Sequence, residues 1–298
     1  YLFMAVLGGV GHVWGAFLGA GVVRIIDDQL QVLLPRLIGT SGNFETIVFG
    51  IILIVVLIGG MLLHNVFDFV RKSKRLLMIR RGLVTEEHTG HALYLRMTLG
   101  ERLQHGVMVV SFVTLVITGF ALKFPEAWWV APLQRVSPSM FSIRSIVHRI
   151  AGVVLVVVSL YHGYYLLFVP RGRQLLRDLL PRAQDLRDFF LMVRYNLGWS
   201  SVRPQFGRFG YIEKSEYWAL VWGTMVMGFT GLVLWFENTS MGFLTKLGWD
   251  IARSVHFWEA WLATLAILVW HFYYVIFNPD VYPMSTAWLT GTISEEEM

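Results

Sequence analysis

Six long apolar runs constrain this chain more than any other feature. They lie at roughly 2–23, 45–67, 105–122, 147–168, 217–236 and 255–277. At ~1.5 Å per residue, a helix of that length spans, or nearly spans, a ~30 Å hydrocarbon layer. Only 15% of the 298 residues are charged, against about 25% in water-soluble domains. The fold class that follows is all-α: an integral membrane helical bundle of about six transmembrane helices. Mean hydropathy (+0.57) agrees.

The loops between the runs differ in charge. "RKSKRLLMIRRG" (71–82) is followed by Arg96 and Arg102, and 169–216 carries Arg171, Arg173, Arg177, Arg182, Arg187, Arg194, Arg203 and Arg208. The segment 123–146 has only Lys123, Arg135 and Arg144, and 237–254 only Lys246 and Arg253. The positive-inside rule then puts 71–104 and 169–216 in the cytoplasm and the other two loops on the far side. This predicts a multi-pass protein of the bacterial inner (cytoplasmic) membrane with its C-terminal "SEEEM" in the cytoplasm. Orientation accounts for the net charge of +5, which is no sign of nucleic acid; the partner it implies is the bilayer. Cysteine is absent, which excludes thiolate metal sites, disulfides, iron–sulfur clusters and covalent haem attachment within this chain. No cleavable signal peptide is read, and an opening at Tyr1 rather than Met points to a fragment or a processed form. The stretch 171–198 has helical periodicity broken at Pro181. It reads as an amphipathic helix pair on the headgroups, or as a loop packed on a soluble partner.

Nine histidines are present. His88 and His91 fall in a polar loop and read as surface residues. His148 and His162 are fourteen apart, so a helix separates them by ~21 Å and leaves them ~40° short of four full turns. His256 and His271 are fifteen apart, ~22 Å along the axis and ~60° past four turns. Both helices run outside to inside, so each offers an imidazole at the same two depths. An ionisable group in hydrocarbon is costly and is a functional-site hypothesis by default. Zinc wants three or four converging ligands, and the outer layer offers two histidines and Glu259. Bis-histidine ligation of haem needs one imidazole from each of two facing helices, which suits a four-helix bundle core. Two haems stacked ~20 Å apart would bridge most of the bilayer. Gly119, Gly152, Gly228 and Gly231 would let a macrocycle approach the backbone. Arg144, Arg149 and Arg253, at the outer helix starts, are candidates to meet haem propionates, or else simple interfacial anchors. At the inner depth His105, His162 and His271 compete for an iron that needs two ligands, with His64 a fourth; a spare pair would allow a third haem. Glu259 is read as a proton carrier, a partner of a ligand's neighbour, or an intrahelical acceptor.

Residues from about 58 to 298 resemble the haem-b membrane subunit of the formate dehydrogenase gamma / cytochrome b561-like family. The likeness is carried by "ERLQHGVMVVSFVTLVITGFAL" (101–122), "VHRIAGVVLVVVSLYHGYY" (147–165), "RFGYIEKSEYWALVWGTMVMGFTGLVLW" (208–235) and "VHFWEAWLATLAILVWHFYY" (255–274). It implies a four-helix haem-binding core with two b haems, one held by His148 and His256 at the outer depth and one by His105 and His271 at the inner. His162 has no counterpart in that pattern and would instead suit a cytochrome-b/b6-like arrangement. The resemblance also implies quinone or menaquinone beside the inner haem, near Arg208–Lys214. There Tyr211, Glu213 and Lys214 are candidates, although Gly210 replaces the family's Asn and Glu213 its Gln. A partner redox subunit is implied as well, a periplasmic or peripheral multihaem cytochrome c or iron–sulfur protein.

Residues 1–57 are similar to the C-terminal part of a branched-chain amino-acid ABC transporter permease, through "YLFMAVLGGVGHVWGAFLGAGVV" and "LLPRLIGTSGNFETIVFGIIL". The expected organisation is therefore 1–57 permease-like, 58–104 the end of an extra transmembrane helix and a basic loop, 105–277 the four-helix di-haem domain, and 278–298 an acidic cytoplasmic tail. The function expected is that of an electron-transfer subunit of a quinone-linked respiratory oxidoreductase. The rival is a transporter component whose histidines relay protons or merely pack.

Overall fold

The computed structural model describes residues 44–84, 93–132 and 139–294. The run at 2–23, His12, His88, His91, Arg135, the permease-like stretch before Phe44 and the final "EEEM" lie outside the described residues. Contacts divide the chain into two units, Tyr1–Gly60 and Met61–Met298. Of the first, the described part is the opening of helix α1 (Phe44–Arg80). The second holds everything that follows.

After α1 come a three-residue strand β1 (Leu93–Leu95), α2 (Leu99–Lys123), α3 (Met140–Phe168), α4 (Pro170–Leu179), α5 (Ala183–Asn196), α6 (Tyr211–Trp235), α7 (Glu237–Ala266), two π-helical turns (Ile267–His271 and Tyr273–Phe277), α8 (Ala287–Thr290) and β2 (Thr292–Ser294). Among the described residues five helical stretches are long and apolar enough to cross a membrane: Ile54–Arg80, Leu99–Lys123, Ser142–Phe168, Tyr211–Trp235 and Glu237–Phe277. The molecule is thus an all-α membrane helical bundle. α2 packs on α3 and α6 on α7, and α3 meets α6, so two helical hairpins form a four-helix core.

Each helix outruns its apolar segment, because backbone hydrogen bonding continues where the hydrocarbon ends. The largest difference is at 237–254, expected as a loop. It forms the first part of α7, interrupted at Thr245 (φ 59°, ψ 172°) and supported by a Lys246–Asp250 pair at 2.6 Å one turn apart. At the other end the Thr98-Leu-Gly-Glu101 sequence forms a capping box: the Glu101 amide donates to Thr98 Oγ1 (3.3 Å), and the Thr98 amide to Glu101 Oε2 (2.7 Å). This satisfies two of the four amides that a helix start leaves open. Beyond the π turns the chain folds back, so that β2 pairs antiparallel with β1 (Leu93↔Ser294, Tyr94↔Ile293, Leu95↔Thr292).

The burial pattern is that of a lipid-immersed protein. Leu160, Phe229, Val110 and Val157 are exposed, while His64, Asn65, Asp68, Glu101, Gln104, Thr118, Arg144, Lys214 and Thr230 are buried. Hydrocarbon solvates an outward apolar side chain as well as an interior would, so polar groups turn inward to find partners.

The two arginine-rich loops meet at one end of the bundle, as their shared charge predicts. Arg96 bonds the Arg208 carbonyl and pairs with Glu213 (3.2 Å). Arg171 pairs with Glu101 (3.1 Å), Arg208 with Asp178 (3.0 Å) and Lys214 with Asp185 (2.7 Å). The segment 171–198 is the expected helix pair, α4 and α5, broken around Pro181. It is fastened by Leu179 and Met192, both buried, and by Trp218 Nε1 donating to the Leu179 carbonyl (2.9 Å). α4 starts with Pro170 at its first position, where the missing N–H is no loss. Gly172 lies so close to the Tyr165 carbonyl that a Cβ there would sit 2.1 Å from its oxygen, so the sharp return from α3 into α4 requires glycine.

α1 docks through a polar stripe. Tyr273 donates to Asp68 Oδ2 (2.8 Å), Lys72 pairs with Asp68 (2.9 Å) and Asp280 (3.0 Å), and Lys72 also donates to Asn278 Oδ1 (3.0 Å). Asn65 donates to the Val269 carbonyl inside the first π turn. Asp68→Ala strips the carboxylate from Tyr273, Lys72 and Asn196 and is expected to cost about 3 kcal/mol, measured as a lower thermal unfolding midpoint in detergent. Lys72→Met is expected to cost less, since Asp68 keeps its tyrosine.

Candidate functional site

Two of the four core helices carry imidazoles that face each other. His148, eight residues into α3, and His256, in the second half of α7, have ring centres 6.4 Å apart with planes at 67°. Behind each ring stands a buried threonine of the preceding helix: Thr118 Oγ1 is 2.9 Å from His148 Nδ1, and Thr230 Oγ1 is 2.8 Å from His256 Nδ1. The residue after each threonine is glycine. A Cβ on Gly119 would sit 3.1 Å from His148 Cε1, and one on Gly231 would sit 3.4 Å from His256 Cε1. Each hairpin therefore supplies a Thr-Gly step on its first helix and a histidine on its second.

A second layer lies toward the arginine-rich end. His105, on α2, has a buried Nδ1 with no hydrogen-bond partner among the described residues, and its ring leans on Trp288 (6.4 Å). His271, in the first π turn, bonds Glu216 Oε2 through Nδ1 (3.1 Å). It lies within electrostatic range of His105. A π turn takes one more residue than an α turn and recurs at functional sites; here it absorbs part of the extra rotation implied by the fifteen-residue spacing of His256 and His271.

The other two candidates are placed differently. His162 Nδ1 is 2.8 Å from Gln104 Oε1 and its Nε2 3.1 Å from Tyr217 OH. His64 Nε2 is 2.8 Å from Tyr211 OH and its Nδ1 3.0 Å from Tyr274 OH. Neither ring has a nitrogen to spare. Of the arginines, Arg144 is buried and donates to the Ala121 carbonyl (2.7 Å). Arg149 lies over the Trp235 ring (5.2 Å), and exposed Arg253 lies over Trp249 (5.2 Å) and reaches Asp250 (3.7 Å). Tyr211, Glu213 and Lys214 do share one helix start, each with a partner: His64, the Gly210 amide (2.9 Å) together with Arg96, and Asp185 respectively. Glu259 reaches toward α6, where a Cβ on Gly223 would touch its carboxylate (3.0 Å).

Thr118, Thr230, Gln104, Glu216 and Tyr217 escaped the sequence reading. A signal was present for the first two: Thr-Gly occurs in both "VITGF" and "MGFTG". The others look like ordinary polar residues near a helix end until the partner helix is in place.

Chemically, two facing imidazoles suit a metal whose other ligands come from elsewhere. Among the described residues no three of His, Cys, Asp and Glu converge as a metal-ion set, whereas a porphyrin brings four nitrogens of its own and asks the protein for axial ligands. Imidazole–metal bonds of about 2 Å put two ring centres gripping one iron about 6 Å apart. The measured 6.4 Å fits.

Comparison with known proteins agrees. A search of curated proteins finds no match. A family model described as prokaryotic cytochrome b561 matches residues 96–286, from just before the α2 capping box to just before α8, leaving α1 outside. That span covers more than half of the chain and all four core helices. Together with the paired imidazoles they carry, it makes this chain a member of the prokaryotic cytochrome b561 family, b-type haem proteins of electron transfer, and a multi-pass bacterial membrane protein.

Proposed function

We propose that the chain holds two b haems and passes electrons across the bilayer, between a quinone or menaquinone pool and a partner redox subunit of a respiratory oxidoreductase complex. The observation that carries the proposal is the His148–His256 pair, level with each other and 6.4 Å apart at their ring centres. A bound haem supplies a one-electron ferric/ferrous couple. His148 and His256 would hold one haem, and His105 and His271 the other. The second assignment follows from elimination among four candidates: His64 and His162 spend both nitrogens on neighbours, while His105 and His271 each keep at least one. Arg144, Arg149 and Arg253 are the arginines that would neutralise propionates.

The arginine-rich end is assigned to the cytoplasm, which puts the C-terminus there too. Quinone would be met at this end, near Tyr211, Glu213 and Lys214. These residues hold the start of α6 and the α5 contact in place, so they would shape a site through position more than through free donors. The redox partner, a multihaem cytochrome c or an iron–sulfur protein, would dock at the far end.

Dithionite reduction of the purified protein should give the sharp alpha band of a b-type haem; its absence would favour a transporter component. Pyridine haemochrome analysis should count two haems in the parent. His148→Ala and His256→Ala should each leave one, and His105→Ala and His271→Ala should each remove the other. Both haems should survive in His162→Ala and His64→Ala. Loss of a haem from either of those variants would reassign the second site.

A further inference from the structure

Both threonines behind the facing imidazoles are committed donors. Thr118 Oγ1 lies 2.6 Å from the Thr114 carbonyl, and Thr230 Oγ1 lies 2.7 Å from the Val226 carbonyl, each one turn back. A carbonyl only accepts, so each hydroxyl proton points along its own helix. What the hydroxyl then offers the imidazole is a lone pair. His148 Nδ1 (2.9 Å) and His256 Nδ1 (2.8 Å) must therefore be the N–H nitrogens. Both rings are thereby held in the tautomer that leaves Nε2 unprotonated.

We infer that Thr118 and Thr230 are positioning residues. Each fixes the tautomer and plane of one imidazole, so that both rings would offer an unprotonated Nε2 to a haem iron. The inference rests on the ligand assignment proposed above. Three features separate it from ordinary packing. The arrangement occurs twice, on equivalent helices of the two hairpins. Each threonine is followed by the glycine that gives the ring its room. And the hydroxyls are buried, Thr118 at 9% and Thr230 at 5% exposure, so water does not take the ring's place. An acceptor on the distal N–H makes an imidazole more basic and favours the ferric state. The two threonines thus set the potential of this haem together with its ligand geometry, whereas in the other layer a carboxylate, Glu216, stands behind His271.

The test uses the full-length protein in detergent or nanodiscs. Thr230→Val keeps the branched shape and removes the acceptor. It should retain two haems, raise the midpoint potential of one in a redox titration, and shift that haem's low-spin ferric g-values, which report the imidazole planes. Thr118→Val should move the same haem in the same direction, since Thr118 stands behind His148 as Thr230 does behind His256. Thr230→Ser, which keeps the hydroxyl, should restore the parent values. Unchanged potentials and g-values in both valine variants would overturn the inference. So would a haem lost equally from the valine and serine variants, which marks packing and not the hydroxyl. His256→Ala is the control for the underlying reading. If it still binds two haems, the ligand assignment itself fails; if it binds one while Thr230→Val is silent, only the threonine role does.

Discussion

A polar atom taken from water into an apolar medium with no partner costs roughly 2–7 kcal/mol, and that penalty organises this molecule. Its outer surface is apolar and needs nothing from the protein. Its interior holds polar groups, many of which have found a complement on another helix. His162 sits between Gln104 and Tyr217, and His64 between Tyr211 and Tyr274. His148 and His256 lean on threonines. The helices are held together less by greasy contact than by the need of these groups to meet.

The same constraint sorts histidines into kinds. A ring with both nitrogens bonded to protein is a structural cross-link between helices. A ring with one nitrogen bonded and the other facing a second ring across the bundle is arranged to bind something. Under the proposed ligation the two layers also differ electrostatically. One is backed by neutral hydroxyls on both sides. The other is backed by a carboxylate at His271, while His105 Nδ1 has no hydrogen-bond partner among the described residues. Unlike partners behind like ligands would give two such haems different potentials.

α1 shows how a helix beyond the matched family region attaches to this core. Its polar stripe, His64, Asn65, Asp68 and Lys72, engages Tyr211 of α6 and the π-helical end of the last span. The π turns present a carbonyl and three aromatic residues, Trp270, Tyr273 and Tyr274, to that stripe. The π-helical stretch of the last span is therefore both where His271 is placed and where the extra helix takes hold.

Much of this architecture was legible in the amino-acid order. The apolar runs located five spans that the described residues contain. The arginines predicted which loops share an end, and Pro181 marked the break between α4 and α5. The fourteen- and fifteen-residue spacings of His148/His162 and His256/His271 drew attention to two depths, because a helix converts spacing into rotation and rise without help from its neighbours. The helical character of 237–254 was not legible, since apolarity reports the hydrocarbon and not the hydrogen bonds that carry a helix past it. Nor was the fate of each histidine. His162 has the right depth and the right face, and only Gln104 and Tyr217, 58 and 55 residues away in sequence, show that its nitrogens are spent. The sequence by itself determined that imidazoles lie at two levels in a helical membrane bundle. The tertiary structure alone decided which of them confront each other, because a nitrogen's availability depends on what the neighbouring helix has already bonded to it.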